Sequence, residues 1–150
     1  MSETRIAILG LGNIASGVVR ILTEQAEMLT RRAGQAFDIR HVVVRDATKA
    51  REVEIASDVI STNWQTAVAD DDVDIVVELI GGTTVAHDAV LAAIQNRKHV
   101  VTANKALLSK HGTELFAAAR EANVCIAYEA AVAGGVPIIA TLQSSMTSNQ

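Results

Sequence analysis

"RIAILGLGNIASGVV", residues 5–19, joins a short β-branched run to a glycine turn and then to a helical pattern. Ile6, Ile8 and Leu9 read as a buried strand. Ile14, Val18, Ile21 and Leu22 recur at i, i+4, i+7 and i+8, the spacing of one helix face, and Leu29 extends the pattern toward "RRAGQ". Between strand and helix stand Gly10, Gly12 and Ala15, a G-x-G-x-x-A pattern. In isolation it is weak, but placed between a first strand and a first helix it reads as a dinucleotide-binding turn. Gly10 permits the tight turn, Gly12 lets the backbone approach a pyrophosphate, and Ala15 lets helix and strand pack closely. The amides of Asn13 and Ile14 would then point at the phosphates from the helix N-terminus.

Outward from this turn the same alternation continues. "IRHVVV" (39–44), "DIVVEL" (74–79), "KHVVT" (98–102) and "VCIAY" (124–128) read as strands, with a further short one near "VIST" (59–62). Most are apolar on both faces, as in a parallel sheet covered on each side. Val85, Ala89, Val90 and Ala93 mark a second helix, and Leu115, Phe116 and Ala119 a third. The expected architecture is α/β: a Rossmann-type, doubly wound, mostly parallel sheet with helices on both faces.

Composition agrees. Of 150 residues 49% are apolar but only 3% aromatic, so the core must be built from Ala, Val, Ile and Leu. A formal charge of −4 argues against nucleic acid or an anionic membrane as partner. The single cysteine, Cys125, has no internal disulfide partner, and the polar opening "MSETR" does not resemble a signal peptide. A reducing, cytoplasmic setting is expected. "AAVAGGVPIIATL" is too short and glycine-rich to span a bilayer. The polar tail "SSMTSNQ" (144–150) follows a helical "PIIATLQ" and reads as a cut rather than a natural end. The domain expectation is a dinucleotide-binding unit over 1–135 and the start of a further region over 136–150.

The second strand ends in "VVVRDATKAR". An acid at this place accepts from the ribose 2′-hydroxyl of NAD, whereas an arginine pairs with the 2′-phosphate of NADP. Arg45 comes first after the strand, before Asp46 and Lys49, which favours NADP with NAD tolerated; a merely solvated turn is the bland alternative. After the strand around residues 74–79, Gly81 and Gly82 let the backbone pass close to a ligand, and Thr83 or Thr84 can cap the next helix. Glu78 receives no role. Lys105, in "VVTANKALLSKHG" (100–112), lies between an apolar strand end and a helix face. Either it snorkels to solvent or it faces the crevice beyond the strand ends. "YEAAVAGGVP" (128–137) offers one carboxylate, Glu129, among carbonyls, an all-oxygen set suited to a hard cation. His41, His87, His99 and His111 have no partner at i+4, so no metal site is expected from them.

"GLGNIASGV", "VVVRD", "VVELIGG", "HVVTANKALLSKHGTEL" and "YEAAVAGGVPII" stand in the order found in homoserine dehydrogenase, and from about residue 5 to about 143 the chain resembles that family. "TANKALL" followed by "EAAVAGG" is more specific than the glycine fingerprint. Ala15, where many members have glycine, is a departure compatible with dinucleotide binding. The resemblance implies hydride transfer between a nicotinamide and L-aspartate 4-semialdehyde, giving L-homoserine. It also implies a longer chain whose second domain supplies much of the substrate site, another active lysine and the homodimer contact. It places Lys105 at the nicotinamide and substrate, and the Gly81–Thr83 loop beside the nicotinamide half. It further implies a sodium ion held by Glu129 and the carbonyls of Val132, Gly134 and Val136. The competing expectations are another amino-acid or semialdehyde dehydrogenase and a non-catalytic nucleotide-sensing module; the sensor has no evident need for Lys105 or "EAAVAGG".

Overall fold

The computed structural model describes residues 3–146. The first strand, β1 (Glu3–Leu9), runs into the glycine turn and then α1 (Asn13–Glu24). The expected continuation of α1 through Leu29 does not occur as one helix. The helix is interrupted at Gln25, whose amide still bonds the Ile21 carbonyl, and α2 (Ala26–Ala33) follows as a separate helix, ending on left-handed Gly34. β2 (Ala36–Val43) follows, then the two-residue β3 (Ile60–Ser61) inside the "VIST" stretch, and α3 (Trp64–Ala69). β4 (Ile75–Glu78), α4 (Val85–Gln95), β5 (His99–Thr102) and α5 (Lys105–Ala122) complete a second set of βα units. β6 spans only Ile126–Ala127, shorter than "VCIAY", and α6 is Ile138–Met146.

The six strands form one sheet in the order β3-β2-β1-β4-β5-β6, and every pairing is parallel. That order places the reversal of winding between β1 and β4, where Ile6 to Leu9 pair with Ile75 to Glu78. A doubly wound sheet opens a crevice beyond the strand C-termini at such a reversal.

Each face of the sheet is sealed by its own apolar cluster. On one face Ile6, Ile8 and Val77 pack with Ala15 and Val19 of α1; the fully buried Ala15 leaves room for the helix to lie close to the strands. On the other, Ala7, Leu9, Val76 and Val100 pack against Ala86, Ala89, Val90 and Ala93 of α4 and Leu107, Leu115 and Ala119 of α5. Alanine at the helix–sheet contacts and β-branched residues in the strands explain how so few aromatics suffice. Among the described residues no helix is long and apolar enough to cross a membrane.

Candidate functional site

Gly10 is where the fold is least negotiable. Its φ is +94°, and its amide donates to the Val43 carbonyl at 2.8 Å. A Cβ on Gly10 would lie 2.6 Å from the carbonyl oxygen of Leu79 and 2.8 Å from its carbonyl carbon. The turn after β1 is thus wedged between the ends of β2 and β4. Gly12 differs. Its backbone is extended, and a Cβ there would meet nothing of the protein within 4 Å. Packing among the described residues therefore does not require glycine at 12, which stands at the N-cap of α1.

Four helices leave the C-terminal ends of the strands, and their caps divide them. Asn63 caps α3 by accepting from the Thr66 amide at 3.2 Å, and Asn104 caps α5 by accepting from the Leu107 amide at 3.0 Å. The helices that follow the two strands at the reversal, α1 and α4, start on Gly12 and Thr84 with no side-chain cap. Thr84 stands at the cap position without the capping bond expected of it, and Thr83 is half-buried just before it. First-turn amides have no intrahelical acceptor, so Asn13, Ile14 and the start of α4 keep donors and the positive end of a helix dipole at the crevice. Asn13 and Ile14 are both exposed.

The sequence reading passed over the residue that organises the crevice. Glu78, at the end of β4, is fully buried. Its Oε1 accepts from the Ile80 amide at 2.9 Å and the Gly81 amide at 3.1 Å, and its Oε2 accepts from Thr102 Oγ1 at 2.6 Å. Thr102 Oγ1 in turn accepts from the Asn104 amide at 3.1 Å, and Asn104 Nδ2 donates to the Gly82 carbonyl at 2.8 Å. One carboxylate therefore joins the left-handed pair Gly81 (φ +78°) and Gly82 (φ +73°) to the start of α5. A buried carboxylate persists only with such a full set of donors. The available signal was a lone acid closing an apolar strand, which does not by itself say which way the side chain turns.

Lys105 is the first residue of α5, directly after that network. It is exposed, and its side chain forms no hydrogen bond or ion pair with another described residue. It neither crosses the core nor anchors it. Arg45 is likewise exposed beyond β2. Asp46 is committed to its own turn: its Oδ1 accepts from the Thr48 hydroxyl at 2.7 Å and the Thr48 amide at 2.9 Å, and these bonds hold its pKa below the usual carboxylate value. Arg51 ties the same turn through the carbonyls of Asp46, Ala47 and Lys49.

The "YEAAVAGG" segment forms a 3₁₀ turn over Glu129–Ala131 and then leads into α6. Glu129 serves as a cap, its oxygens accepting from the amides of Ile139 at 2.8 Å and Ala140 at 3.2 Å. The Val136 carbonyl accepts from the Ile138 amide at 2.8 Å, and Gly134 is left-handed at φ +63°. These residues are local neighbours and form no hydrogen bond to the network at Glu78 among the described residues.

Comparison with known proteins agrees with this geometry. The family profile "Homoserine dehydrogenase, NAD binding domain" matches residues 10–129. The chain is 41% identical over 150 residues to homoserine dehydrogenase of Pseudomonas aeruginosa and 40% identical over 150 residues to that of Bacillus subtilis. All of the chain is covered in both cases, but only 34% and 35% of those proteins. The crystal structure of a homoserine dehydrogenase from Thiobacillus denitrificans superimposes with a TM-score of 0.90 at 44% identity, covering 99% of this chain and 34% of that one. The chain thus spans about a third of the length of the relatives it matches. With the fold, the glycine turn and the profile in agreement, the chain belongs to the family of homoserine dehydrogenase NAD-binding domains.

Proposed function

We propose that this chain is the dinucleotide-holding part of a homoserine dehydrogenase, taking NADP with NAD tolerated, and serving the interconversion of L-homoserine and L-aspartate 4-semialdehyde in threonine and methionine biosynthesis. The observation that carries the reading is the pair of uncapped helix N-termini, α1 and α4, on either side of the β1–β4 reversal, beside a Gly12 that protein packing does not require. Backbone amides and a helix dipole aimed at one crevice suit a pyrophosphate. When bound, the nicotinamide supplies or accepts the hydride. Asn13 and Ile14 bind through their amides, Gly10 and Gly12 set the approach, and Gly81 and Thr83 line the nicotinamide half. Hydride delivered to an aldehyde leaves negative charge on oxygen, and the free ammonium of Lys105 is suited to stabilise it and to supply the proton.

Arg45 is assigned to the 2′-phosphate. Its guanidinium is unengaged among the described residues, whereas Asp46 already spends an oxygen on Thr48. Calorimetric titration with NADP and NAD tests the reading. Arg45→Ala should weaken NADP about tenfold or more, the worth of a charge-assisted bond of roughly 1.5–3 kcal/mol, and leave NAD nearly unchanged. Binding of neither nucleotide by the wild-type chain would end the proposal.

Sodium at Glu129, Val132, Gly134 and Val136 belongs to the same reading. A carboxylate offers about four lone-pair sites, and α6 takes one on each oxygen, so Glu129 can share itself between the helix and an ion. Residues 136–150 are assigned to the start of the substrate region, in a full-length enzyme expected to be a cytoplasmic homodimer. The exposure of Val136, Ile138 and Leu142 supports a further apolar partner for that segment.

A further inference from the structure

Two helices that flank the crevice also bring together residues that are far apart in sequence. His87 lies in the first turn of α4, and His111 and Glu114 lie on α5. His87 Nε2 is 3.1 Å from Glu114 Oε2, and His111 Nδ1 is 3.6 Å from the same oxygen. The imidazole rings sit 4.2 Å apart, and one donor atom from each of the three residues falls within 4.8 Å of the others.

We infer that His87, His111 and Glu114 form a binding site for one divalent transition-metal ion, Zn²⁺ in the first instance, at the α4–α5 seam. Metal–ligand bonds of about 2.0–2.2 Å in a tetrahedron place neighbouring donor atoms about 3.3–3.6 Å apart, close to the two separations from Glu114. Two imidazoles and a carboxylate are a borderline-soft donor set that suits zinc and leaves a fourth position to water. His87 Nδ1 lies 3.2 Å from Asp88 Oδ1. A carboxylate there fixes the tautomer and leaves Nε2 as the ligand, the second contact that metal-binding histidines usually have.

Both nitrogens of His87 face carboxylate oxygens, and the pKa of His87 is raised above its ordinary value, chiefly by the hydrogen bond to Asp88 and then by Glu114. A metal ion bound at Nε2 draws Glu114 and His111 to one centre. Because α4 follows the Gly81–Gly82 loop and α5 begins at Lys105, an ion here would pin together the two helices that carry the nicotinamide side of the crevice.

The chain, freed of metal by a chelator and exchanged into chelator-free buffer, is titrated with ZnCl₂ by calorimetry. One equivalent should bind, and its affinity should fall at least about tenfold in His111→Ala and in Glu114→Gln. Glu114 is half exposed, so its amide variant keeps the fold even where a histidine variant fails to. Zn²⁺ should raise the melting temperature of the wild type and not of Glu114→Gln, and Co²⁺ should give the intense visible bands of a four-coordinate centre. Cys125, exposed and unpaired, is the rival ligand. Binding that survives Glu114→Gln, disappears in Cys125→Ser, or is absent from the wild type overturns the site and leaves His87 as the centre of an ordinary ion-pair cluster.

Discussion

Gly10 and Gly12 are two residues apart and glycine for opposite reasons. At Gly10 both the backbone and the Leu79 carbonyl forbid a side chain. Gly10→Ala should lose about 2–5 kcal/mol, combining a left-handed penalty of roughly 1–2 with an overpacking cost of roughly 1–3. At about 2–4 °C per kcal/mol, the melting temperature falls by roughly 4–20 °C. At Gly12 neither constraint applies, so Gly12→Ala should stay within about 0.5 kcal/mol of the wild type while dinucleotide affinity drops. Thermal unfolding and nucleotide titration on both variants separate the roles. A destabilised Gly12→Ala with intact binding would place the second glycine in the fold and not at the ligand.

At the scale of elements, Asn63 and Asn104 cap α3 and α5, whereas α1 and α4, which follow the two strands at the reversal, start without a side-chain cap. Asn63 and Asn104 are both caps, yet they answer differently to aspartate. Asn63 only accepts, and Asp caps as well as Asn, so Asn63→Asp should be nearly neutral, within about 0.5 kcal/mol. Asn104 also donates to the Gly82 carbonyl, with Glu78 Oε1 at 3.5 Å. Asn104→Asp sets an acceptor against acceptors and should cost about 1–3 kcal/mol. Equal urea midpoints for the two variants would show that Asn104 is a cap and nothing more. A second link between elements sets an acid limit. His41 of β2 bonds Asp70, the C-cap of α3, at 2.7 Å, and with the Asp72 amide this lowers the pKa of Asp70. A depressed carboxylate pKa stabilises the fold above the unfolded value of 3.8, and that contribution is lost as pH falls from there through the lower folded value. Denaturation followed from about pH 5 to about pH 2 should be less steep in pH for Asp70→Asn than for the wild type. Matching slopes would mean other carboxylates set the acid limit.

For the molecule as a whole, the division of labour follows from length. The chain covers about a third of its relatives and holds a complete glycine turn, while Lys105 faces outward with no other described residue opposite it. The 150-residue chain should therefore bind NADP but oxidise homoserine at a rate near background. In a protein of the relatives' length Lys105→Ala should cut kcat by roughly 10²–10⁴ with an unchanged melting temperature, because an exposed lysine fills no cavity. Lys105→Arg should not restore the rate, since a guanidinium is a poor proton donor near neutrality. Brisk turnover by the short chain, or a lower melting temperature with normal turnover in Lys105→Ala, would relocate the chemistry.

Much of this could be read along the chain. Periodicity and β-branched runs placed the strands and the helices after β1, β4 and β5, but not the short α3 after β3. The glycine turn named its own strand and helix, because each depends on residues within a few positions of one another. Family-specific runs such as "TANKALL" and "EAAVAGG" pointed to the family. What the linear order did not disclose is whatever depends on two elements meeting. The carboxylate of Glu78 acquires its role only when β4 and β5 lie side by side and bring Thr102 and Asn104 to it. His87 gains His111 and Glu114 only when α4 packs on α5. The missing caps on α1 and α4 matter only because parallel pairing sets both helices on one crevice. Local propensity acts over a few residues and is written in the sequence, whereas hydrogen bonds between distant side chains exist only after the hydrophobic clusters have set the strands in register.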